Sequence, residues 1–349
     1  MRAKGDFTSY WRWAKSMIDE YLDRNIAHFH YPDHARYVLK GGKRIRGTLC
    51  LLVSQALGGR VGDTLPYASS IEMVHAATLV HDDFIDEHEV RHGMAPLYKV
   101  LGPRKAILLA DMLLSRAAYR VTALGGDGYR TLTEGIYDAC RGAVSEPLAS
   151  ITLSRNARSE SILKLLTTAR LKNCDTEDIP RRLYPLVIRL KTAGLFGTAC
   201  KLGAMAANAP QTDRKRAYGY GIAVGEAYQI ADDIVDIKVA RRTGRIDRAT
   251  KIKLFPMTLC FSPPDEPINK ASAWISSDAL PRIRISDMER MINARIQRAR
   301  DIARKFPSGE YQRLLNGGAR VVVDLMLNEG PSLSKKKTNG SLPDPSLSS

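Results

Sequence analysis

The sequence is poor in cysteine and lacks long apolar runs. Its 5 cysteines among 349 residues are far apart and never in CxxC spacing. This distribution argues against a disulfide framework and against a zinc site, and it favours reduced thiols. No apolar stretch approaches the roughly 18 residues that a membrane-spanning helix needs, and the first residues lack the apolar core of a signal peptide. We therefore expect a cytoplasmic protein with no transmembrane segment.

Aromatic residues and strand patterns are also scarce. Aromatics make up 7% of the chain, while 53 Lys and Arg against 37 Asp and Glu give a formal charge of +16. A basic chain attracts nucleic acid through its phosphates, but no helix-turn-helix, zinc or base-stacking motif is present. A smaller polyanion such as a diphosphate needs only a few of these cations. We expect no nucleic-acid binding.

Apolar residues recur at three- and four-residue spacing through most of the chain, which predicts an almost entirely α-helical fold. Pro66 is predicted to start a central helix that runs to about His88. A capping box at Ser286–Glu289 predicts the start of a later helix. The chain becomes low in complexity near its end, so we predict one domain over 1–328 and a disordered tail over 329–349.

Several local features qualify this helical pattern. Pro185 is expected to kink or delay a long helix, and Thr212 or Asp213 to cap the next one. The stretch 239–256 is basic and aperiodic, which predicts a loop. Three glycines inside a helical run indicate close approach of another backbone or a ligand, and they are Gly219, Gly221 and Gly225.

Two acidic motifs repeat the spacing DDxxD far apart in the chain, each within an apolar helical run. The first lies in HAATLVHDDFIDEHEVRHG (75–93) and the second in ADDIVD (231–236). Helix positions four apart share a face, so each motif stacks two anions that repel unless a cation lies between them. Mg²⁺, an arginine side chain or solvent could offset this repulsion. The six carboxylates belong to Asp82, Asp83, Asp86, Asp232, Asp233 and Asp236.

Basic residues near both motifs are suited to a metal-bound diphosphate beside an apolar pocket. GGKRIRG (41–47) precedes a helical run, and helix N-termini offer free N–H groups to anions. The candidates for phosphate contacts are Lys43, Arg46, Arg91 and Lys191. Thr192 and Gln229 carry dipoles that would stabilise a carbocation left by the departing diphosphate.

Five segments taken in order resemble the trans-polyprenyl (isoprenyl) diphosphate synthases. These segments are GGKRIRG, EMVHAATLVHDDFIDEHEVRHG, ADMLLSRA, KTAG and GEAYQIADDIVD. The resemblance implies an all-α, isoprenoid synthase-type helical bundle around a deep central cavity, usually in a homodimer. It also implies a head-to-tail 1'-4 condensation of isopentenyl diphosphate with an allylic diphosphate, with Mg²⁺ as cofactor.

The resemblance assigns roles to individual residues. Asp82 and Asp86, with Asp83 alongside, would bind Mg²⁺ on the allylic diphosphate, and the second motif would complete the metal cluster. The expected contacts to isopentenyl diphosphate are Lys43, Arg46 and His75. Arg91 and Lys191 would contact the allylic diphosphate. Thr192 and Gln229 would face the reacting carbons.

Three departures from the family pattern bear on activity. His92 follows Arg91 where the family usually has a second arginine, and Gly47 replaces the usual proline. After the second motif, Arg242 stands where the family has a phosphate-binding lysine, a replacement that does not always preserve geometry. This altered loop keeps open a second hypothesis, a catalytically silent partner subunit. A terpene cyclase also uses DDxxD but has no need of GGKRIRG.

Product length is predicted from the residues before the first acidic motif. Family members carry a chain-stopping side chain four or five positions before the motif, where this chain has the small residues Thr78 and Ala77. We therefore expect a product longer than C15, with C20 geranylgeranyl diphosphate favoured.

Overall fold

A computed structural model describes residues 5–154, 179–244, 260 and 283–328. Within these ranges the chain is helical and contains no strand, only an isolated antiparallel bridge between Arg91 and Met94. The prediction of an all-α fold is confirmed. The helices are α1 (Phe7–Ile26), α2 (Pro32–Leu39), α3 (Ile45–Ala56), α4 (Val61–Ile85), α5 (Leu97–Leu101), α6 (Pro103–Val121), α7 (Gly125–Ser154), α8 (Ile179–Ile188), α9 (Gly194–Ala206), α10 (Gln211–Thr243), α11 (Ile285–Ala303) and α12 (Glu310–Leu327).

The core is formed where α9 lies between α3 and α10, with α4 packed against α3 and α6. Small residues let these backbones approach closely. A Cβ added at Gly225 of α10 would lie 2.6 Å from the Cα of Ala193, and one at Gly221 would collide with the carbonyl of Phe196. The predicted close approach is therefore confirmed at two of the three glycines. It is wrong at Gly219, where the nearest atom is 3.6 Å away, on the flexible side chain of Ile302.

The central helix α4 begins at Val61, five residues before the predicted start at Pro66, and ends at Ile85. Proline fixes a φ that suits a helix, and near the N-terminus it removes only one hydrogen bond. Pro66 is thus tolerated inside the second turn. The hydroxyl of Ser70 donates to the carbonyl of Pro66 at 2.7 Å.

The helix that contains Pro185 continues to Ile188 and then widens into a π-helical segment, Arg189–Ala193. The predicted irregularity is therefore present, but it lies four residues after the proline. Such π segments occur mostly as single turns and often at functional sites. Here the widened turn carries Lys191 and Thr192.

Two helix boundaries differ from the predictions. Helix α10 begins at Gln211 with Pro210 at its N-cap and no side-chain cap, so the predicted cap at 212 or 213 is wrong. The same helix continues to Thr243, which places Arg242 in its last turn and corrects the predicted loop over 239–243. The rest of that loop, 245–256, lies outside the described residues.

The predicted capping box is wrong as well. Helix α11 begins at Ile285 with Arg284 at its N-cap, and no side chain caps it. Its buried face carries Met288, Ile292, Ile296 and Ala299, and Phe306, which follows the helix, is buried as well.

Helix α12 was not predicted from the sequence. The hydroxyl of Tyr220 donates to Leu315 at 2.8 Å, and Tyr311 accepts from Gln55 at 3.0 Å. These bonds fix α12 against α10 and α3. The predicted tail, 329–349, lies outside the described residues. Among the described helices none is both long and apolar enough to cross a bilayer.

Candidate active site

A cavity of about 590 Å³ lies between α3, α4, the α8–α9 segment and α10, and the end of α12 closes one side. Most of the predicted site residues line it, although they come from distant parts of the chain. These are Lys43, Arg46, His75, Asp82, Asp86, Arg91, His92, Lys191, Thr192, Gln229, Asp232, Asp233 and Asp236. Asp83 and Arg242 do not line it. Arg242 is exposed at the end of α10.

The outer carboxylates of the two motifs face the same cavity. Asp82 and Asp86 lie at the C-terminal end of α4, joined by a backbone hydrogen bond of 2.8 Å. In the second motif, one carboxylate oxygen from each of Asp232, Asp233 and Asp236 lies within 4.8 Å of the other two. Mg²⁺ prefers oxygen ligands and is often held by one or two carboxylates together with substrate phosphates. The donor set therefore fits a divalent cation.

Asp83, the central carboxylate of the first motif, is buried and faces away from the cavity. Its Oδ1 accepts from Arg91 Nε at 2.7 Å, from Arg91 Nη2 and from His88 Nδ1 at 3.1 Å. Burial alone would raise the pKa of Asp83, but the hydrogen bonds from His88 and Arg91 hold it below the usual value. Asp83 is therefore charged and already paired with protein donors.

Asp233, the central carboxylate of the second motif, anchors a chain of hydrogen bonds that ends at Thr192. Tyr184 donates to Asp233 Oδ2 at 2.6 Å, and Gln229 Nε2 donates to Asp233 Oδ1 at 3.0 Å and to Asp232 at 3.1 Å. The hydroxyl of Thr192 in turn donates to Gln229 Oε1 at 2.7 Å. The pKa of Tyr184 is raised well above its usual value, by burial first and then by Asp233. The tyrosine therefore stays protonated and holds Asp233, which in turn orients the amide of Gln229.

Arg46 contributes a buried positive charge to the cavity. Its guanidinium lies 4.4 Å from the ring centroid of Phe196, and Nε has no hydrogen-bond partner in the described part of the chain. Burial lowers the pKa of Arg46, while Glu72 and Tyr228 oppose this, and a guanidinium remains charged at neutral pH. A buried donor without a partner costs free energy, so the site favours an anion beside Arg46.

The neighbouring Arg44 has a different role, although the sequence places it in the same basic segment. It adopts a left-handed backbone at the N-cap of α3 and forms an ion pair with Asp19 at 2.7 Å. Its Nη2 also donates to the carbonyl of Leu39. Arg44 therefore fixes the segment to α1 and α2 and leaves Lys43 and Arg46 for the cavity.

His75 is neutral in this environment. Its pKa is held well below the usual value, by burial first and then by the positive charge of Arg46 and the nearby His92 and Arg91. A neutral imidazole carries one donor and one acceptor nitrogen. His75 can therefore bind a phosphate oxygen as a hydrogen-bond donor without adding charge.

Among the lining residues that had no candidate role in the sequence analysis are Glu72, Tyr184, Tyr228 and Met326. Glu72 is an acidic residue in an apolar run of α4, and this pattern could have indicated a functional role from the sequence. Met326 lies on the helix that was not predicted, and Lys43 Nζ approaches its sulfur at 3.6 Å. The two tyrosines resemble ordinary core aromatics in the sequence.

Comparison with known proteins agrees with this geometry. Residues 30–249 match the family model described as polyprenyl synthetase, and the chain belongs to this family. Component 2 of heptaprenyl diphosphate synthase from Geobacillus stearothermophilus is 28% identical over 90% of this chain and 91% of its own. Geranylfarnesyl diphosphate synthase from Aeropyrum pernix is 34% identical over 56% of this chain and 58% of its own. The chain is thus a trans-prenyltransferase.

Solved structures agree on the fold. Geranylgeranyl pyrophosphate synthetase from Pyrococcus horikoshii has a TM-score of 0.67 at 22% identity, over 91% of this chain and 98% of that one. A polyprenyl synthase from Caulobacter crescentus has a TM-score of 0.65 at 19% identity, over 93% and 99%, and its crystal structure contains calcium and isoprenyl diphosphate. The expected isoprenoid synthase-type fold is confirmed.

Proposed function

We propose that this protein condenses isopentenyl diphosphate head-to-tail with an allylic diphosphate in an Mg²⁺-dependent reaction. The observation that carries the proposal is the convergence on one cavity of two aspartate pairs and the buried Arg46. Asp82, Asp86, Asp232 and Asp236 would hold the metal. When bound, Mg²⁺ would neutralise charge on the allylic diphosphate and so favour its departure.

The other residues divide the remaining work. Arg46, Lys43 and neutral His75 would bind the diphosphate of isopentenyl diphosphate, while Arg91 and Lys191 would bind that of the allylic substrate. The allylic C–O bond breaks, and the double-bond electrons of isopentenyl diphosphate form the new C–C bond. The proton then lost from the condensed product goes to the released diphosphate. Thr192 and Gln229, held by Asp233, would stabilise the cation through their dipoles.

The purified chain is expected to catalyse this reaction without a partner. Incubation with Mg²⁺, radiolabelled isopentenyl diphosphate and either geranyl or farnesyl diphosphate should yield longer prenyl diphosphates, measured by chromatography of the dephosphorylated products.

We propose a cytoplasmic homodimer. Exposed apolar side chains on α6 and α7 support a dimer, since Leu108, Tyr119 and Tyr137 are 54%, 69% and 64% exposed.

A second candidate function follows from one comparison. The relative aligned over 90% of this chain is named as component 2 of its synthase. The alternative is therefore a subunit that turns over only with a different partner chain. This alternative would be favoured if the purified chain is a dimer by light scattering but forms no product by itself. Activity should then appear when another synthase subunit is added.

Product length is proposed to be C20. The named relatives include geranylgeranyl, geranylfarnesyl and heptaprenyl synthases, so the family alone leaves the length open. Thr78 lines the cavity and its hydroxyl donates to the carbonyl of His75 at 2.8 Å. Ala77, the other predicted position, is fully buried and does not line the cavity, so the argument rests on Thr78.

Replacing Thr78 with phenylalanine is expected to shorten the product. An aromatic ring would fill space beside the growing chain, and overpacking costs about 1–3 kcal/mol, so extension of farnesyl diphosphate should fall about 5- to 150-fold. Condensation with geranyl diphosphate should change less. The measurement is product size with each starter, with Thr122→Phe on an exposed turn as the control. A wild-type product limited to C15 would contradict the argument, as would unchanged product size in Thr78→Phe.

A further inference from the structure

The two outer carboxylates of the first motif line the cavity, but the central one does not. The side chain of Asp83 is only 4% exposed, and both of its neighbours in the motif are accessible from the cavity. We propose that Asp83 is a positioning residue that holds Arg91 toward the diphosphate and is not a metal ligand. This inference rests on the proposed binding of the allylic diphosphate by Arg91.

The contact between Asp83 and Arg91 is two-pronged. Arg91 directs Nε and Nη2 to the same carboxylate oxygen of Asp83, and His88 Nδ1 adds a third donor at 3.1 Å. Two bonds from one guanidinium that converge on a single charged oxygen restrict its orientation as well as its position. Arg91 Nη1 has no acceptor among the described residues, so it is left to bind a phosphate oxygen.

The segment that carries Arg91 needs such a constraint. After α4 ends, the backbone turns back through Glu87 at φ 54° and His92 at φ 50°, both in the left-handed region that non-glycine residues rarely adopt. Arg91 and Met94 exchange two backbone hydrogen bonds of 2.8 and 2.9 Å. A short turn of this kind is not held by a helix or a sheet. Its attachment to α4 therefore depends on side-chain contacts.

Asp83 takes part in several contacts that hold this turn, through its backbone and its carboxylate, while the ion pair of Lys99 with Glu89 does not involve it. The backbone N–H of His88 donates to the carbonyl of Asp83 at 3.0 Å, and Tyr98 of α5 donates to the carbonyl of His88 at 3.0 Å. With the carboxylate bonds to His88 and Arg91, Asp83 thus holds both ends of the turn. Because a buried carboxylate without partners is costly, the pairing of Asp83 with Arg91 is the stable arrangement.

The second motif repeats the same division of roles. Its central carboxylate, Asp233, is also buried and accepts from Tyr184 and Gln229, while Asp232 and Asp236 are more accessible. In each motif the central aspartate therefore orients a side chain with a predicted role, Arg91 toward the allylic diphosphate and Gln229 toward the reacting carbons. The argument is restricted to Asp83, since Asp233 also lines the cavity.

A double-mutant cycle between Asp83 and Arg91 tests the inference. Isothermal titration calorimetry would measure the affinity for geranyl diphosphate at saturating Mg²⁺, without isopentenyl diphosphate, so that no condensation takes place. Asp83→Asn is expected to weaken binding about tenfold, within the range of couplings between contacting residues. Arg91→Ala alone should weaken binding more than Asp83→Asn alone. The double variant should bind no more than about twofold more weakly than Arg91→Ala. Additive losses in the double variant would overturn the proposal.

The dependence of geranyl diphosphate binding on Mg²⁺ distinguishes a positioning residue from a metal ligand. The quantity measured is the Mg²⁺ concentration at which binding is half-maximal. Asp83→Asn should leave it within about twofold of the wild-type value, whereas Asp82→Asn should raise it about tenfold or more. If Asp83→Asn raises it as Asp82→Asn does, Asp83 is a ligand and the proposal is wrong. If Asp82→Asn has no effect, the proposed metal site fails, and the stability cycle below still decides the pairing.

Melting temperatures supply a readout that does not depend on ligand. Arg91→Ala leaves the buried charge of Asp83 without its main partner, so its melting temperature should fall below that of Asp83→Asn/Arg91→Ala. The double variant also covers the case in which Asp83→Asn alone does not fold. A double variant less stable than Arg91→Ala would contradict the pairing.

Discussion

Asp82→Ala is expected to reduce prenyl transfer by about 100- to 1,000-fold, the range typical for loss of one group that stabilises transition-state charge. Asp82 lies on the face of α4 that lines the cavity, opposite the carboxylates of the second motif. The variant would lose one of the four outer carboxylates proposed to hold Mg²⁺. The effect should appear in kcat as well as in KM, because the charge on the diphosphate increases as it leaves.

The measurement is the initial rate of isopentenyl diphosphate incorporation as Mg²⁺ is varied. Excess Mg²⁺ should restore only part of the rate, since one carboxylate oxygen is missing at any metal concentration. Asp63→Asn is the matched control, because Asp63 is an exposed carboxylate at the other end of the same helix. The control should stay within about twofold, as surface substitutions away from special features usually do. Prenyl transfer left intact in Asp82→Ala would refute the proposed metal site.

Much of the site could be predicted from the sequence because its residues recur at helical spacing. Asp82 and Asp86 are one turn apart, so both were expected on one face, and His75, about two turns before Asp82, falls on that face too. The structure places all three on the cavity. The glycines inside α10 indicated close approach of another backbone or a ligand, which holds for Gly221 and Gly225 but not for Gly219. Local features of a single helix were enough for the predictions that hold.

The direction of Asp83 could not be predicted in the same way. It follows Asp82 immediately, so spacing says that it points elsewhere, but not to which partner. Its partner Arg91 belongs to a turn in which Glu87 and His92 adopt a left-handed backbone, and only Gly93 marks this turn in the sequence. Pairings that depend on such a turn need the tertiary structure.

Long-range packing explains the other differences. Helix α12 has no motif to mark it, yet Met326 at its end lines the cavity. Tyr184 resembles a core aromatic until its hydroxyl is found 2.6 Å from Asp233. In both cases the role follows from a contact between residues far apart in the chain. Periodicity within one helix carries no information about such contacts.

Gly47 is the position at which the family pattern and the structure lead to opposite expectations. The family usually has proline there, which would suggest that Gly47→Pro is harmless or stabilising. In this chain Gly47 is the third residue of α3, and its N–H donates to the buried carboxylate of Glu72 at 2.7 Å. Such an N–H has no partner within its own helix, so Glu72 serves as its cap. Proline would remove the donor.

Gly47→Pro is therefore expected to destabilise the fold by about 2.5–6 kcal/mol. Leaving the buried carboxylate of Glu72 without this donor costs about 1.5–3 kcal/mol, and overpacking adds about 1–3 kcal/mol. The overpacking arises because a Cβ at residue 47 would lie 2.8 Å from Ile18 Cδ1 and 2.9 Å from the carbonyl oxygen of Ala68. Denaturant unfolding followed by circular dichroism would measure the change.

Two further variants divide this cost into its parts. Gly47→Ala keeps the N–H and adds only the Cβ, so it should lose the overpacking share alone. Gly62→Ala, in the first turn of α4 with no atom within 4 Å of an added Cβ, should be neutral or stabilising by about 0.4–1 kcal/mol. A Gly47→Pro variant as stable as the wild type would mean that Glu72 finds another donor. The most available one is the buried Nε of Arg46, which has no partner among the described residues. In that case Gly47→Pro should also weaken isopentenyl diphosphate binding, because Glu72 would then compete for the guanidinium proposed to bind the substrate.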